Sequence, residues 1–270
     1  MKLTIHTYEE LDSWVSAFTN REGLNLFVLV GSAGLSKSVS LKQSIDSTTE
    51  YIKAGQLTSF QFFKLLYQCR HRNIVLDDIE TALKDQKTCK LLMAVCELDQ
   101  IDRPVAWYGS TKELSYNTGS RTVQIPQKFN SFSRVAIICN DWDGVSTKLA
   151  ALEDRGYVIF FVPSPEEVHC FVRTWFRDQE IYDFMGDLLG QIYQPSIRHY
   201  VKAQKLKSVG MDWKRPLLET LEADRASPEA LVRQLADVCE LSVAEQIEKF
   251  QDLSGKSRAT YFRLKKKLGL

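Results

Sequence analysis

Residues 26–38 read Leu-Phe-Val-Leu-Val-Gly-Ser-Ala-Gly-Leu-Ser-Lys-Ser, and no other stretch restricts the fold as tightly. The apolar run Leu26 to Val30 fits a strand covered on both faces, as in a parallel sheet. A glycine-bearing turn follows, then a helix opening on Lys37-Ser38 and expected to reach Ser47. The stretch departs at one place from G-x-x-x-x-G-K-[ST], the loop whose backbone N–H groups and following helix N-terminus cradle phosphate. The glycine before the lysine is Ser36. Gly31 and Gly34 give the turn its freedom, and Ser32, Ala33, Leu35 and Ser36 complete the cradle. In such a site Lys37 reaches the β- and γ-phosphates and the Ser38 hydroxyl ligates Mg2+. A side chain at 36 either narrows the cradle or occupies a strained backbone region, at about 1–3 kcal/mol. The loop alone is equally compatible with a strand–turn–helix that binds nothing.

A second apolar run, Ile74-Val75-Leu76, ends in Asp77-Asp78. Asp77 suits Mg2+, directly or through water, and Asp78 suits orienting or deprotonating an attacking water. Alone, the pair reads as readily as two solvated strand-end carboxylates or a helix cap. A third run, Arg134 to Cys139, ends in Asn140-Asp141, and Tyr157 to Val162 is another buried strand.

Helical patterns separate these runs. Tyr8, Leu11, Trp14, Val15 and Phe18 recur at helical spacing, as do Phe60, Phe63, Leu66 and Tyr67 within 56–70. Further helices are expected over Leu83–Cys96 and Thr147–Asp154, a strand over Pro104–Tyr108 and a polar loop from Gly109 to Arg121. Strands alternating with helices specify a parallel α/β sheet, whose ligands sit beyond the carboxyl ends of the strands. Lys37, Asp77, Asp78 and Asn140 all fall at such ends. After Pro163 no convincing strand appears. Ser164-Pro165-Glu166-Glu167 is a helix start, read as opening one long helix, and Pro195 opens another.

With these residues in view, the chain resembles the AAA+ branch of the P-loop NTPases over 24–210. Gly31 to Ser38 looks like its Walker A segment and Ile74 to Asp78 like its Walker B, with aspartate at 78 where the family usually carries glutamate. The resemblance implies ATP and Mg2+ as cofactors and a three-layer core over 1–163 with a helical lid over 164–210. It implies further that Asn140 is the sensor near the γ-phosphate. Arg155, after Leu149 to Asp154, would be the finger reaching a neighbouring subunit's nucleotide, with Arg134 as its rival. Arg198, after Pro195-Ser196-Ile197, would be the second sensor. On the bland reading Arg155 serves its helix C-terminus and Arg198 is solvated. A finger acting in trans implies a homo-oligomer with head-to-tail contacts.

The C-terminal region, 211–270, is expected to form short helices broken at Pro216, Ser227-Pro228 and Ser254-Gly255. Within 251–270 stand six basic side chains and one acid, Asp252. A helix, a glycine turn and a basic second helix resemble a DNA-binding helix-turn-helix. Lys256, Ser257, Arg258, Thr260 and Tyr261 open that second helix, where base edges are met, while Arg263, Lys265, Lys266 and Lys267 suit phosphates. Leu264 and Leu268, with Phe262 or Tyr261, would pack it down. The bland alternative is a solvated basic helix.

Lys+Arg 35 against Asp+Glu 34 leaves no global steering charge, so nucleic-acid binding requires a local patch. No window approaches a membrane span. The six cysteines form no C-x-x-C and read as reduced core residues of a cytoplasmic protein. Trp107, Trp142, Trp175 and Trp213 read as packing, and His169 and His199 as structural. The two resemblances together imply an ATP-binding, ATP-hydrolysing protein that assembles on DNA, with a helicase, replicase or transposase as the kind of partner. A catalytically weak or dead P-loop scaffold is the alternative that Ser36 and Asp78 favour, and nothing supports a small-molecule phosphotransferase.

Overall fold

In a computed structural model the chain is described at residues 1–20, 24–53, 57–98, 102–108, 114–117, 121–142, 150–192, 196–225, 227–237, 241–268 and 270. It divides into two compact units. The first comprises Met1–Ile5, Glu9–Gly31 and Lys37–Phe161, the second His6–Tyr8, Ser32–Ser36 and Val162–Leu270.

The first unit is built on the apolar runs. In chain order its elements are β1 (Lys2–Ile5), α1 (Tyr8–Thr19), β2 (Leu26–Val30), α2 (Lys37–Ser44), β3 (Glu50–Lys53), α3 (Ser59–Gln68) and β4 (Ile74–Asp77). They continue with α4 (Gln86–Val95), β5 (Arg103–Ala106), β6 (Ser115–Asn117), β7 (Thr122–Gln124), β8 (Lys128–Ser131), β9 (Val135–Cys139), α5 (Ala150–Glu153) and β10 (Tyr157–Phe161). Six strands form one sheet in the order β1-β10-β2-β9-β4-β3. Every pairing in it is parallel. All residues of β2, β4 and β9 are buried, as runs with no polar alternation require. Leu26, Val28 and Val30 join one core cluster with Phe62, Phe63 and Leu66 of α3 and Leu91 and Leu92 of α4. Phe27 turns the other way and stacks on Trp14 and Phe18 of α1. Because the strands are parallel, the residues after β2, β4 and β9 emerge along one edge of the sheet.

The structure corrects several sequence expectations. β3 is a strand that no apolar run announces; it is short, charged at both ends and lies at the sheet edge. Pro104 belongs to an antiparallel pair, β5 with β8, outside the main sheet. The stretch read as a polar loop contains β6, paired with β7. The helix expected from Leu83 is a 3-10 turn, Ala82–Lys84, followed by α4, because the Asp85 carboxylate accepts from Thr88 N and restarts the helix. The helix from Lys37 ends at Ser44.

The second unit is helical over α6 (Pro165–Arg173), α7 (Gln179–Asp187), α8 (Ile197–Ser208), α9 (Lys214–Arg225), α10 (Pro228–Asp237), α11 (Val243–Ser254) and α12 (Arg258–Lys267). Ser164 caps α6 with Pro165 in first position, as read from the sequence. The single long helix expected there is two, because Asp178 is a second N-cap, accepting from Ile181 N. Val232, Leu235, Ile247, Phe250, Tyr261 and Leu264 form a separate small core from α10, α11 and α12. Cys69, Cys89, Cys96 and Cys139 are buried thiols, whereas Cys170 is exposed, so it is no core residue. Burial pushes the Cys96 thiol up to about 12. Cys239 lies outside the described residues. Trp142 and Trp213 are buried, but Trp175 is exposed. No helix among the described residues is long and apolar enough to cross a membrane.

Candidate functional site

The turn after β2 uses two residues with positive φ. Gly34 has φ +85° and Ser36 has φ +65°. Two observations favour glycine at 34: its backbone is left-handed, and an added Cβ would meet Ser196 Oγ at 2.1 Å, so that the serine side chain would have to shift. The Gly34 carbonyl also accepts from Ile197 N, the first residue of α8, at 2.9 Å. Buried Leu35 accepts at its carbonyl from the Tyr8 hydroxyl, at 3.3 Å.

Ser36 therefore holds the backbone region that glycine would occupy in the full motif. The serine does not forbid the dihedral; it occupies it under strain. Left-handed backbone costs a residue with a Cβ about 1–2 kcal/mol, and glycine loses about 0.4–1 kcal/mol through the freer unfolded chain. Ser36→Gly is thus expected to stabilise the protein by roughly 0.5–1 kcal/mol, read as a thermal transition raised by about 1–3 °C. An unchanged or lowered transition would show that Ser36 is relaxed there.

At the carboxyl edge of the sheet several polar groups come together. Lys37 is the first residue of α2 and is 6% exposed. Its Nζ donates to the Gly31 carbonyl at 2.7 Å and to Asn140 Oδ1 at 3.3 Å. Asn140, just past β9, is itself fixed by its backbone N–H donating to Glu80 Oε1 at 2.9 Å. Asp77 is 5% exposed, and its Oδ2 accepts from the Tyr51 hydroxyl at 2.5 Å. Burial, and then this bond to Asp77, push the Tyr51 phenol well above its ordinary range, and the nearby Ser38 hydroxyl offsets part of that rise. Asp78 has φ +57°, a conformation aspartate tolerates better than most residues. Its backbone N–H donates to Ile138 O at 3.3 Å, and its carboxylate pairs with Lys53 at 3.3 Å.

Tyr51, Lys53 and Glu80 are the residues that sequence reasoning missed here. Tyr51 and Lys53 alternate on β3 and so share a face. That alternation was the available signal, too short to separate from a loop.

The donor set suits a small hard cation. Ser38 and Asp77 offer oxygen only, which fits Mg2+ better than a soft metal. Among the described residues no group of three or more His, Cys, Asp or Glu could hold a metal alone. A cation here would complete its shell with phosphate oxygens and water, as Mg2+ does at nucleotide sites.

The other singled-out residues lie elsewhere. Arg155 precedes β10 and so stands at the amino edge of the sheet. Its Nε and Nη2 donate to Glu97 Oε2 at 3.2 and 3.1 Å, and Nη1 donates to Ala151 O at 2.8 Å. Arg134 Nε donates to Asn73 Oδ1 at 3.2 Å. Arg198 is exposed in the first turn of α8, beside the Ile197 bond to Gly34. Leu149 and Pro195 are outside the described residues.

Just before α12, Lys256 and Ser257 are exposed; on it, Arg258, Arg263 and Lys266 are exposed and Thr260 and Lys265 half-buried, while the Lys267 side chain lies outside the described residues. Gly255, at φ +65°, closes α11, and the Ser257 side chain caps α12 by accepting from Thr260 N. Tyr261 requires a correction: it points inward, fully buried, and its hydroxyl donates to Gln246 Oε1 at 2.6 Å. Phe262 is the aromatic that faces out, 42% exposed under the Arg258 guanidinium. Tyr261→Phe would leave Gln246 short of a buried partner and is expected to cost about 1–3 kcal/mol, measured as a lower unfolding temperature. No change would mean that Gln246 finds another donor.

No family model matches the chain, and no curated protein matches it by sequence. Among solved structures, a Walker-type ATPase of Pyrococcus abyssi superposes with a TM-score of 0.51 at 12% identity, covering 98% of this chain and 90% of that one. Domain III of the Thermotoga maritima replication initiation protein DnaA gives 0.47 at 14% identity, covering 79% and 91%. The Aeropyrum pernix ORC1 protein, in complex with DNA, also gives 0.47, at 13% identity and 97% and 80% coverage. At such identities a likeness is one of fold, and the two at 0.47 add nothing to the first. The parallel sheet, the strand–loop–helix at Gly31–Ser38 and the acid-tipped β4 agree with it: this chain has a P-loop NTPase type of α/β fold, like that Walker-type ATPase.

Proposed function

We propose that the chain binds ATP with Mg2+ at Gly31–Ser38 and uses the nucleotide state to control its assembly on DNA. The observation that carries the nucleotide reading is the convergence of buried Lys37 and buried Asp77 with exposed Asn140 at the carboxyl edge of the sheet. The loop N–H groups and the N-terminus of α2 receive the phosphates. Lys37 exchanges its bond to Asn140 for the β- and γ-phosphates, and Asn140 then faces the γ-phosphate. Ser38 and Asp77 would hold the cation, which when bound would supply neutralisation of charge on the phosphates. Asp78 orients the attacking water once Lys53 releases it. Arg198 is our candidate for the second sensor of the nucleotide.

The division we infer is a nucleotide-binding core over 1–163, a lid over 164–210 and a DNA-binding region over 211–270. Support for the last is the exposed basic side of α12 behind a glycine-closed α11, the layout of a helix-turn-helix. Arg155 acts in trans in a homo-oligomer only if its bond to Glu97 opens on assembly.

Titration of the full chain with ATP, in Mg2+ and then in EDTA, tests the nucleotide reading. Saturable binding that Mg2+ tightens supports it, and absence of binding in both buffers overturns it.

The Lys53–Asp78 pair and the strained Ser36 favour a second reading, a scaffold that binds nucleotide poorly and does not turn it over. If the wild type binds no ATP and Ser36→Gly gains binding, the scaffold reading holds. Equal affinity and turnover in both forms favours the enzyme.

A further inference from the structure

β3, the strand no apolar run announces, places a phenol between two side chains assigned above to the cation. Tyr51 stands opposite Val75 in the β3–β4 ladder, and Lys53 opposite Asp77. From that place the Tyr51 hydroxyl donates to Asp77 Oδ2 at 2.5 Å. The Ser38 hydroxyl lies within hydrogen-bonding reach of the same phenol. The ring is held from outside by Lys42, whose Nζ lies 4.3 Å from its centroid.

The direction of this chain of bonds follows from the chemistry of its end. An ionised carboxylate accepts and cannot donate. The Tyr51 proton therefore goes to Asp77, and the phenol oxygen is left to accept from Ser38. A hydroxyl that ligates a cation does so through a lone pair, so its proton needs an acceptor elsewhere. Tyr51 is that acceptor. Ser38 then keeps its lone pairs, and Asp77 its second oxygen, to offer a cation.

We propose that Tyr51 is a positioning residue for the cation: it orients Ser38 and Asp77 as a ligand pair without touching the metal. This rests on the nucleotide reading above. Partners behind metal ligands, when removed, typically cost about 10–100-fold in metal affinity.

The test is the factor by which Mg2+ tightens binding of a fluorescent ATP analogue to the full-length protein, measured against EDTA. Tyr51→Phe keeps the ring and removes the hydroxyl. Its affinity in EDTA should match wild type, while the Mg2+ factor should fall about 10-fold or more. Binding of Mn2+ with the analogue, followed by electron paramagnetic resonance, should weaken in parallel. Because Tyr51 acts through Ser38, adding Tyr51→Phe to Ser38→Ala should lower the factor less than it does in the wild type. Tyr51→Gln, whose amide donates and accepts, should retain more of the factor than Tyr51→Phe and serves if the latter does not fold.

A Mg2+ factor unchanged in Tyr51→Phe overturns the proposal. So does a larger factor, which would make Tyr51 a competitor of the cation. An equal loss in EDTA and Mg2+ would make its role structural and also overturn it. If the wild type binds no analogue at all, the nucleotide reading falls together with this one, and the two failures are told apart by that control.

Discussion

Lys37→Ala is expected to lower ATP affinity by about 100-fold or more while leaving the protein folded. Lys37 is 6% exposed, and its ammonium donates to the Gly31 carbonyl and to Asn140 Oδ1. Charge-assisted bonds of this kind contribute about 1.5–3 kcal/mol each. Losing two such bonds to phosphates is worth about two to four decades of affinity, since each 1.4 kcal/mol is tenfold. The folded state loses less. Alanine favours α2, and the buried ammonium no longer has to be desolvated. Calorimetric titration reads the affinity and circular dichroism the fold. Wild-type affinity in a folded Lys37→Ala protein would remove the phosphate site from this loop.

The second large effect concerns α12. Replacing Arg258, Arg263 and Lys266 together by alanine is expected to lower DNA affinity by roughly 100-fold at 0.1 M salt. The slope of log affinity against log salt should shrink by about 2.7, or about 0.9 for each phosphate no longer neutralised. All three side chains are exposed, so the small core of α10, α11 and α12 should survive. Removing 251–270 outright would confuse the result, because Tyr261 and Leu264 belong to that core. An unchanged slope in the triple variant would place any DNA surface elsewhere.

What was legible in the sequence was what burial dictates. β2 and β9 are covered on both faces, so their residues had to be apolar throughout, and they read as strands without ambiguity. The polar residues that end β2, β4 and β9 could be gathered at one edge because parallel strands share a direction. That is how Lys37 and Asn140, far apart in sequence, were expected at one end of the sheet, and they bond at 3.3 Å.

What was not legible depended on partners the sequence does not announce. β3 sits at a sheet edge and needs no apolar alternation, so Tyr51 and Lys53 went unseen beside Asp77 and Asp78. The bond between Arg155 and Glu97 joins residues separated by most of the antiparallel insertion, and no local pattern predicts it. Tyr261 has an apolar ring and a polar tip, so sequence alone could aim it either way. Gln246 inside the small core decided the matter. Ser36 was legible as a departure but not in its consequence, since the strain resides in a dihedral of φ +65°.

The central claim is that Gly31–Ser38 receives nucleotide phosphates. A crystal structure of the full chain with a non-hydrolysable ATP analogue and Mg2+ tests it most directly. The account predicts phosphate density within hydrogen-bond distance of Lys37 Nζ and of the loop N–H groups, with the cation between Ser38 and Asp77. Lys37 still bonded to Asn140, with the analogue bound elsewhere or not at all at saturating concentration, would contradict it.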